Sequence, residues 1–435
     1  MRTMIAAQVL AITLFASGSF ALAHGAEAPL PLAQGTQALL PPGRGAARPT
    51  EAHASAASVD RLPLPTLDPR LSSELKSWLK ENARPPEEYV VSKFKDHDIV
   101  FLGEMHRVRH DPLLVQALIP RLHENGIDNL GLEFICAREQ AAVDSLLAGD
   151  TYDEKLANWI FWKQWPWWGY QEYVDILRAA WRLDHNIPKG ERRFRIVGLN
   201  GRTDFSYFWS AEDRRNPELI KKAFPDGTSD EAMAQTIRRE ILAKGEKALI
   251  YTGIYHAFTR FHQPMIDEKT GAITDSVTTR MGNRIHSDIG DRCFLIYLHY
   301  PWPGEAGYST ATVYPADGVI DALFDGMPPE SRRLGFDVKG SPFGSLRGDS
   351  SLWAHAYPHF RLDMFCDGWI FQKPLSQYEG VTVVPGWFNE QNRLEAISQI
   401  ANVDPRVKNR DRSVESLTEM LAEDTDMARR LSRFR

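Results

Sequence analysis

Residues 98–106 read Asp-Ile-Val-Phe-Leu-Gly-Glu-Met-His (DIVFLGEMH). An unbroken apolar run closed by a Gly is the pattern of a strand covered on both faces, where no polar alternation is called for. The pattern returns at Asn129–Phe134 (NLGLEF), Phe194–Leu199 (FRIVGL), Ala248–Gly253 (ALIYTG) and Cys293–Leu298 (CFLIYL). Between these runs apolar residues recur at helical spacing: Leu114, Leu118 and Leu122 within Asp111–Asn125, and Tyr173, Leu177 and Trp181 within Tyr170–Asp184. Ala137–Leu147 and Asp230–Lys244 also read as helices, and an amphipathic helix is expected over Ser72–Glu81. Apolar strands alternating with helices predict an α/β fold, a mostly parallel sheet with helices on both faces.

Beyond Pro301 the pattern weakens. Thr310–Tyr314, Gly368–Gln372 and Val381–Val384 read as short strands, and 389–403 and 413–432 as helices. This is an irregular C-terminal α+β extension over 304–435, either a subdomain or part of the same domain. The main α/β domain is expected over 70–303. An Ala-, Pro- and Gly-rich stretch over 24–69 has no period and reads as a flexible linker. No internal repeat of fixed period is visible.

The first 23 residues read as a secretory signal. Arg2 supplies the charged end, an apolar stretch runs from Met4 to Ala16, and Ala21-Leu22-Ala23 is an A-x-A-like cleavage site. The competing reading is an uncleaved anchor, for which the apolar stretch is short. No Cys lies near it, so it is not a lipoprotein signal. No later stretch has the length of a membrane span. The expectation is an exported protein, periplasmic or secreted, with no stable membrane span after cleavage.

With 435 residues, 43% hydrophobic, 11% aromatic and 25% charged, the chain has the composition of a globular protein, which excludes a disordered or collagen-like one. The net charge of -6 gives no electrostatic support for bulk nucleic-acid binding. Three Cys (Cys136, Cys293, Cys366) form no C-x-x-C pair and each abuts an apolar run, so they read as small buried residues.

Open parallel sheets bind ligands beyond the carboxyl ends of their strands. The residues there are therefore the candidates. Glu104 and His106 follow the first strand, in GEMH; Glu133 ends the second; Asn200 ends the third; His256 follows the fourth, in GIYH; His299 follows the fifth. A carboxylate at the tip of an apolar strand is unfavourable unless paired, hydrogen-bonded or metal-bound. About one G-x-x-H tetrad is expected by chance in such a chain, so the pair signifies only because both follow buried strands. Each residue also has a plain structural reading. Glu104 pairs with Arg107 or Arg109, His106 enters a helix, His256 is a satisfied core histidine, Asn200-Gly201 is a turn, and His299 precedes a Pro-Trp-Pro loop.

The runs FLGEMHRVRHDPLLVQALIPRL, LGLEF and REQAAVDSLLAGD, with RIVGLNG and GIYHAFTRFHQP further on, resemble the ChaN-like, haem-uptake branch of the Tiki/erythromycin-esterase superfamily. The resemblance spans roughly residues 95–300 and is most specific in its first fifty. It implies an α/β fold with paired Glu/His motifs lining one cleft, and Glu104, His106, Glu133 and His256 match those positions. Tiki-like members are metal-dependent proteases. In erythromycin esterases a His supported by a Glu activates water, and ChaN-like members bind haem. The missing lipobox Cys departs from the haem-binding lipoproteins.

Two chemistries are compatible with these residues. In a hydrolase of an ester or peptide, His106 and His256 with Glu104 or Glu133 hold a divalent ion (zinc, manganese or cobalt) and the remaining carboxylate is the base. A metal-free version uses a His base positioned by a Glu. In a haem- or iron-binding protein without catalysis, an axial ligand and an apolar slot are needed. Tyr255, inside the second tetrad, and Tyr170, after WIFWKQWPWWGY, are the candidate ligands, and that Trp-rich segment reads either as a stacking wall or as core. A non-catalytic surface module is a third class. Hydrolysis is placed first because haem does not need two carboxylates at strand tips.

Overall fold

The structure is a computed structural model. It describes residues 61–435 apart from 189, 209, 211, 268–269, 271, 306, 309–311 and 401–410. The expected signal peptide, most of the linker, and parts of the strand at 310–314 and the helix at 389–403 lie outside the described residues.

The five long apolar runs all form strands of one sheet. They are β1 (Ile99–Glu104), β2 (Asn129–Cys136), β3 (Arg195–Asn200), β4 (Ala248–Gly253) and β7 (Cys293–Leu298). A hairpin of β5 (Gln263–Ile266) and β6 (Ile273–Val277) stands apart. Two short strands from the C-terminal region, β8 (Leu334–Asp337) and β9 (Gly368–Phe371), extend the main sheet to seven strands in the order β3-β2-β4-β1-β7-β9-β8. All its neighbours are parallel except β8, which runs antiparallel on the edge. The fold is thus the expected α/β sheet with helices on both faces. β1 sits in the middle, between β4 and β7, so the turn leaving β1 falls at the centre of the carboxyl edge.

The alternation of side chains sorts the strands onto two faces. Val100, Leu102, Leu130, Leu132, Leu249 and Ile296 join one apolar cluster; Ile99, Phe101, Val197, Ile250 and Leu295 join the other. The helices His110–Glu124, Gln140–Ala148, Glu154–Gln164 and Gln171–Asn186 cover the first face. Pro69–Asn82, Ser229–Glu240 and Met281–Ile289 cover the second. Each fully covered Leu or Ile contributes about 1.5–3 kcal/mol, so a sheet apolar on both sides requires both layers. No described helix is long and apolar enough to cross a membrane.

Two short strands expected late in the chain are absent among the described residues. Val313 makes a single bridge to Trp302, and Val383 a single bridge to Tyr170. The Trp-rich segment, by contrast, contains a helix over Glu154–Gln164, capped by Asp153, whose carboxylate accepts from the N–H groups of Lys155 and Leu156. Trp167 is fully buried and Trp162, Trp165 and Trp168 are nearly so, which makes this segment mainly core; Trp159 alone of these five is exposed (41%).

Candidate functional site

Strand β1 delivers Glu104 to the carboxyl edge with no exposed surface. Its carboxylate accepts from the Tyr173 hydroxyl (2.7 and 2.8 Å) and from the Tyr251 hydroxyl, and it faces His106 Nδ1 at 2.7 Å. Burial and the Glu104 charge hold both phenols well above their ordinary pKa, so they stay protonated donors. With Nδ1–H donated to Glu104, His106 presents Nε2 outward.

A second dyad mirrors the first. His256 lies in the single helical turn after β4 and faces Asp230 Oδ1 through Nδ1 at 2.7 Å. Asp230, in the first turn of the Ser229–Glu240 helix, also accepts from the Met281 N–H (2.8 Å) and from Arg280 Nη1 (3.1 Å). Burial pushes the Asp230 carboxyl up, but the charges of His256 and Arg280 and its hydrogen bonds prevail and hold it at about 2. Burial pushes His256 down, and Asp230 and Glu133 more than offset this, so its pKa is raised.

Glu133 joins the dyads. One oxygen accepts from Thr252 Oγ1 and from the Gly253 N–H, both at 2.7 Å. The other lies 3.5 Å from His256 Nε2 and 4.0 Å from His106 Nε2. Burial raises its pKa, but the two imidazoles and those hydrogen bonds bring it below the ordinary carboxylate value. Gly253, the first residue of the second tetrad, is required by space. A Cβ there would stand 2.7 and 2.8 Å from two atoms of the His106 ring. The side chains of His106, Glu133 and His256 are 11%, 12% and 7% exposed, so the centre is almost closed to water. Trp168 meets the His106 ring edge-on at 5.0 Å and stacks on Phe134 at 4.8 Å, which makes an aromatic wall of this part of the Trp segment.

The four residues chosen for catalysis therefore meet. Of the expected metal ligands, His106 and His256 with Glu104 or Glu133, the set that uses Glu104 does not form. Glu104 is turned inward onto two tyrosines and His106. Among the described residues no group of three or more His, Cys, Asp or Glu side chains is arranged to hold a metal ion. Neither tyrosine offered as a haem ligand reaches this centre. Tyr170 is fully buried, and its hydroxyl accepts from Arg107 Nε at 2.7 Å. Tyr255 is buried on the other face of the sheet, edge-on to Phe258 and Trp353.

Asn200 donates through Nδ2 to the Glu133 carbonyl (3.2 Å) and so borders the site. His299 lies beyond β7, 3.0 Å from Asp321, in a separate buried pair. All three cysteines are free and buried. A cavity of about 260 Å³ opens beyond the ends of β2 and β3, lined among others by Cys136, Arg138, Trp162, Gln164 and Arg202. Sequence reasoning missed Asp230, Tyr173 and Tyr251. Asp230 follows Thr228-Ser229 and precedes Glu231, which reads only as a helix start. The tyrosines sit at ordinary core positions of a helix and a strand.

Residues 90–203 match the family described as haem-binding uptake, Tiki superfamily, ChaN. No curated protein matches the chain significantly. Among solved structures, a Bacillus cereus protein is 14% identical at a TM-score of 0.45, covering 72% of this chain and 99% of its own. A mutant of the erythromycin esterase EreC in its open conformation is 13% identical at 0.43, covering 69% and 95%. ChaN of Campylobacter jejuni with cofacially bound haem is 14% identical at 0.32, covering 52% and 91%. At such TM-scores these likenesses say nothing about the chemistry of the site. The matched stretch, residues 90–203, holds Glu104, His106 and Glu133 and is similar to the haem-binding-uptake, ChaN-like branch of the Tiki superfamily; His256 lies outside it.

Proposed function

We propose that this is an exported hydrolase of esters in which two carboxylate-backed imidazoles share the work around Glu133, without a metal. The observation that carries the reading is the convergence of His106 Nε2 and His256 Nε2 on one oxygen of Glu133. His256 stands between two carboxylates, Asp230 and Glu133, so its imidazolium form is favoured and it is the acid. His106, oriented by Glu104, is the base. His106 Nε2 takes a proton from water as the water oxygen bonds to the ester carbonyl carbon. The tetrahedral intermediate collapses with cleavage of the C–O bond, and His256 Nε2–H protonates the departing alkoxide. Glu133, facing both Nε2 atoms, returns the proton from His106 to His256.

Haem capture is the second reading, favoured by the match to the ChaN family. The tyrosines expected as its ligands do not fit, because Tyr170 is bonded to Arg107 in the core and Tyr255 is packed on the opposite face.

The test is hydrolysis of 4-nitrophenyl acetate by the purified protein after dialysis against EDTA. Retained turnover that falls about 10²-fold or more in His106→Asn, His256→Asn and Glu133→Gln is expected. Turnover abolished by EDTA and restored by zinc replaces this reading with the metal-dependent one. No turnover, together with a Soret band saturating at one equivalent of haem, replaces it with haem capture.

A further inference from the structure

The residue after the proposed base is unusual. Arg107 has a φ of +72°, a left-handed conformation uncommon for a side chain with a Cβ, and it is fully buried. Such strain persists only where the surroundings impose it, and it gathers at functional sites. Here the surroundings are specific. The Arg107 N–H donates to the Tyr173 hydroxyl (2.9 Å), the same phenol that donates to Glu104, and its carbonyl accepts from the Val381 N–H (3.1 Å). The guanidinium donates to Tyr170, lies 5.4 Å from the ring centres of Trp168 and Tyr170, and stands 3.6 Å from Asp424 Oδ2.

Asp424 belongs to the far end of the chain. It follows the Val414–Glu423 helix, is 3% exposed, and accepts from Trp167 Nε1 at 2.8 Å. Arg430, a few residues on, donates to the carbonyls of His106 (3.4 Å) and Asp424 (3.1 Å). The turn that carries His106 is thus gripped from the C-terminal segment, some 220 residues beyond the family match at 90–203.

We propose that Arg107, pinned by Asp424, is a positioning residue that holds the turn after β1 so that His106 meets Glu104 and Glu133 together. The C-terminal segment is then part of the site. The inference rests on the reading of His106 as base, so its test includes a readout that needs no turnover. In the full-length protein, downfield imidazole N–H proton signals are expected by NMR for His106 on Glu104 and for His256 on Asp230, told apart from those of His123 on Asp128 and His299 on Asp321 by their loss in His106→Asn and His256→Asn. In Asp424→Asn the His106 signal should broaden beyond detection while the His256 signal and a cooperative melting transition, shifted to lower temperature by loss of the buried pair, remain. The kcat for 4-nitrophenyl acetate should fall about tenfold or more with KM within about twofold, and Asp424→Glu should restore part of it. Arg107→Lys, which keeps the charge and loses the planar fork, should act in the same direction and serves if Asp424→Asn does not fold. An unchanged His106 signal and rate in these variants overturns the proposal. Loss of both imidazole signals in Arg107→Lys also overturns it, because the contact is then general scaffolding. A wild-type protein without esterase activity defeats the assignment of His106 as base, yet the proton signals still decide whether Asp424 positions it.

Discussion

Replacing Asp230 by Asn probes the charge arrangement at a buried point. The carboxylate has three partners, the His256 imidazole, the Arg280 guanidinium (1% exposed) and the Met281 N–H. An Asn keeps an acceptor for Met281 but leaves the Arg280 charge without its counter-ion. A carboxyl held at about 2 instead of the ordinary 3.8 corresponds to roughly 2 kcal/mol of stability, present above about pH 4 and lost as the pH falls towards 2. Breaking a buried pair by removing one partner raises the loss towards about 3–5 kcal/mol. The variant should therefore be less stable at neutral pH by roughly 2–4 kcal/mol, since Gln263 still accepts from Arg280. The pH dependence is the sharper signature. The raised pKa of His256 adds stability that is complete below the ordinary value of 6.5 and fades as the pH rises through the folded value. In the variant, burial and Arg280 act on His256 against the Glu133 charge alone, so this contribution shrinks. Urea unfolding followed by tryptophan fluorescence should show a larger deficit at about pH 6 than at about pH 9. Equal deficits at the two pH values would mean that Asp230 does not favour a charged His256 in the fold, and the acid assigned to the mechanism would lose its basis.

Gly253→Ala places a methyl against the His106 ring. The backbone there has φ of -57°, which Ala adopts freely, so steady-state hydrolysis should fall tenfold or more while thermal unfolding moves only a few degrees. Tyr251→Phe and Tyr173→Phe each take a donor from the fully buried Glu104 carboxylate. Each should reduce the unfolding free energy by about 1–3 kcal/mol in urea titrations, and values near zero would mean that these phenols do not support the buried carboxylate. The three cysteines should be silent to a thiol reagent in the native protein and react fully in denaturant, because burial holds the thiols in their protonated form.

Much of the sheet is legible in the chain because parallel strands buried on both faces must be continuously apolar. IVFL, ALIYT and CFLIYL carry that requirement at any position in the sheet. The edge strand Leu334–Asp337 carries none of it: four residues, one Gly and an Asp leave no period to read. The Glu154–Gln164 helix is hidden for the opposite reason, since Trp159, Ile160, Phe161 and Trp162 in succession blur the 3.6-residue stripe.

The same division holds at the site. Polar residues just after apolar strands have few places to go but the carboxyl edge, so Glu104, His106, Glu133 and His256 can be picked out from one dimension. Their roles cannot. Strand order places β1 beside β4 and so sets Tyr251 at Glu104, and the Gln171–Asn186 helix packed on that face adds Tyr173, which makes that carboxylate a support for His106. Asp230 comes to His256 from a helix on one face, and Asp424 comes to Arg107 from the far end of the chain. Local sequence dictates which segments are strands and what stands at their tips, because burial acts residue by residue. Which carboxylate faces which imidazole depends on contacts between residues tens to hundreds of positions apart, and only the packed chain decides those.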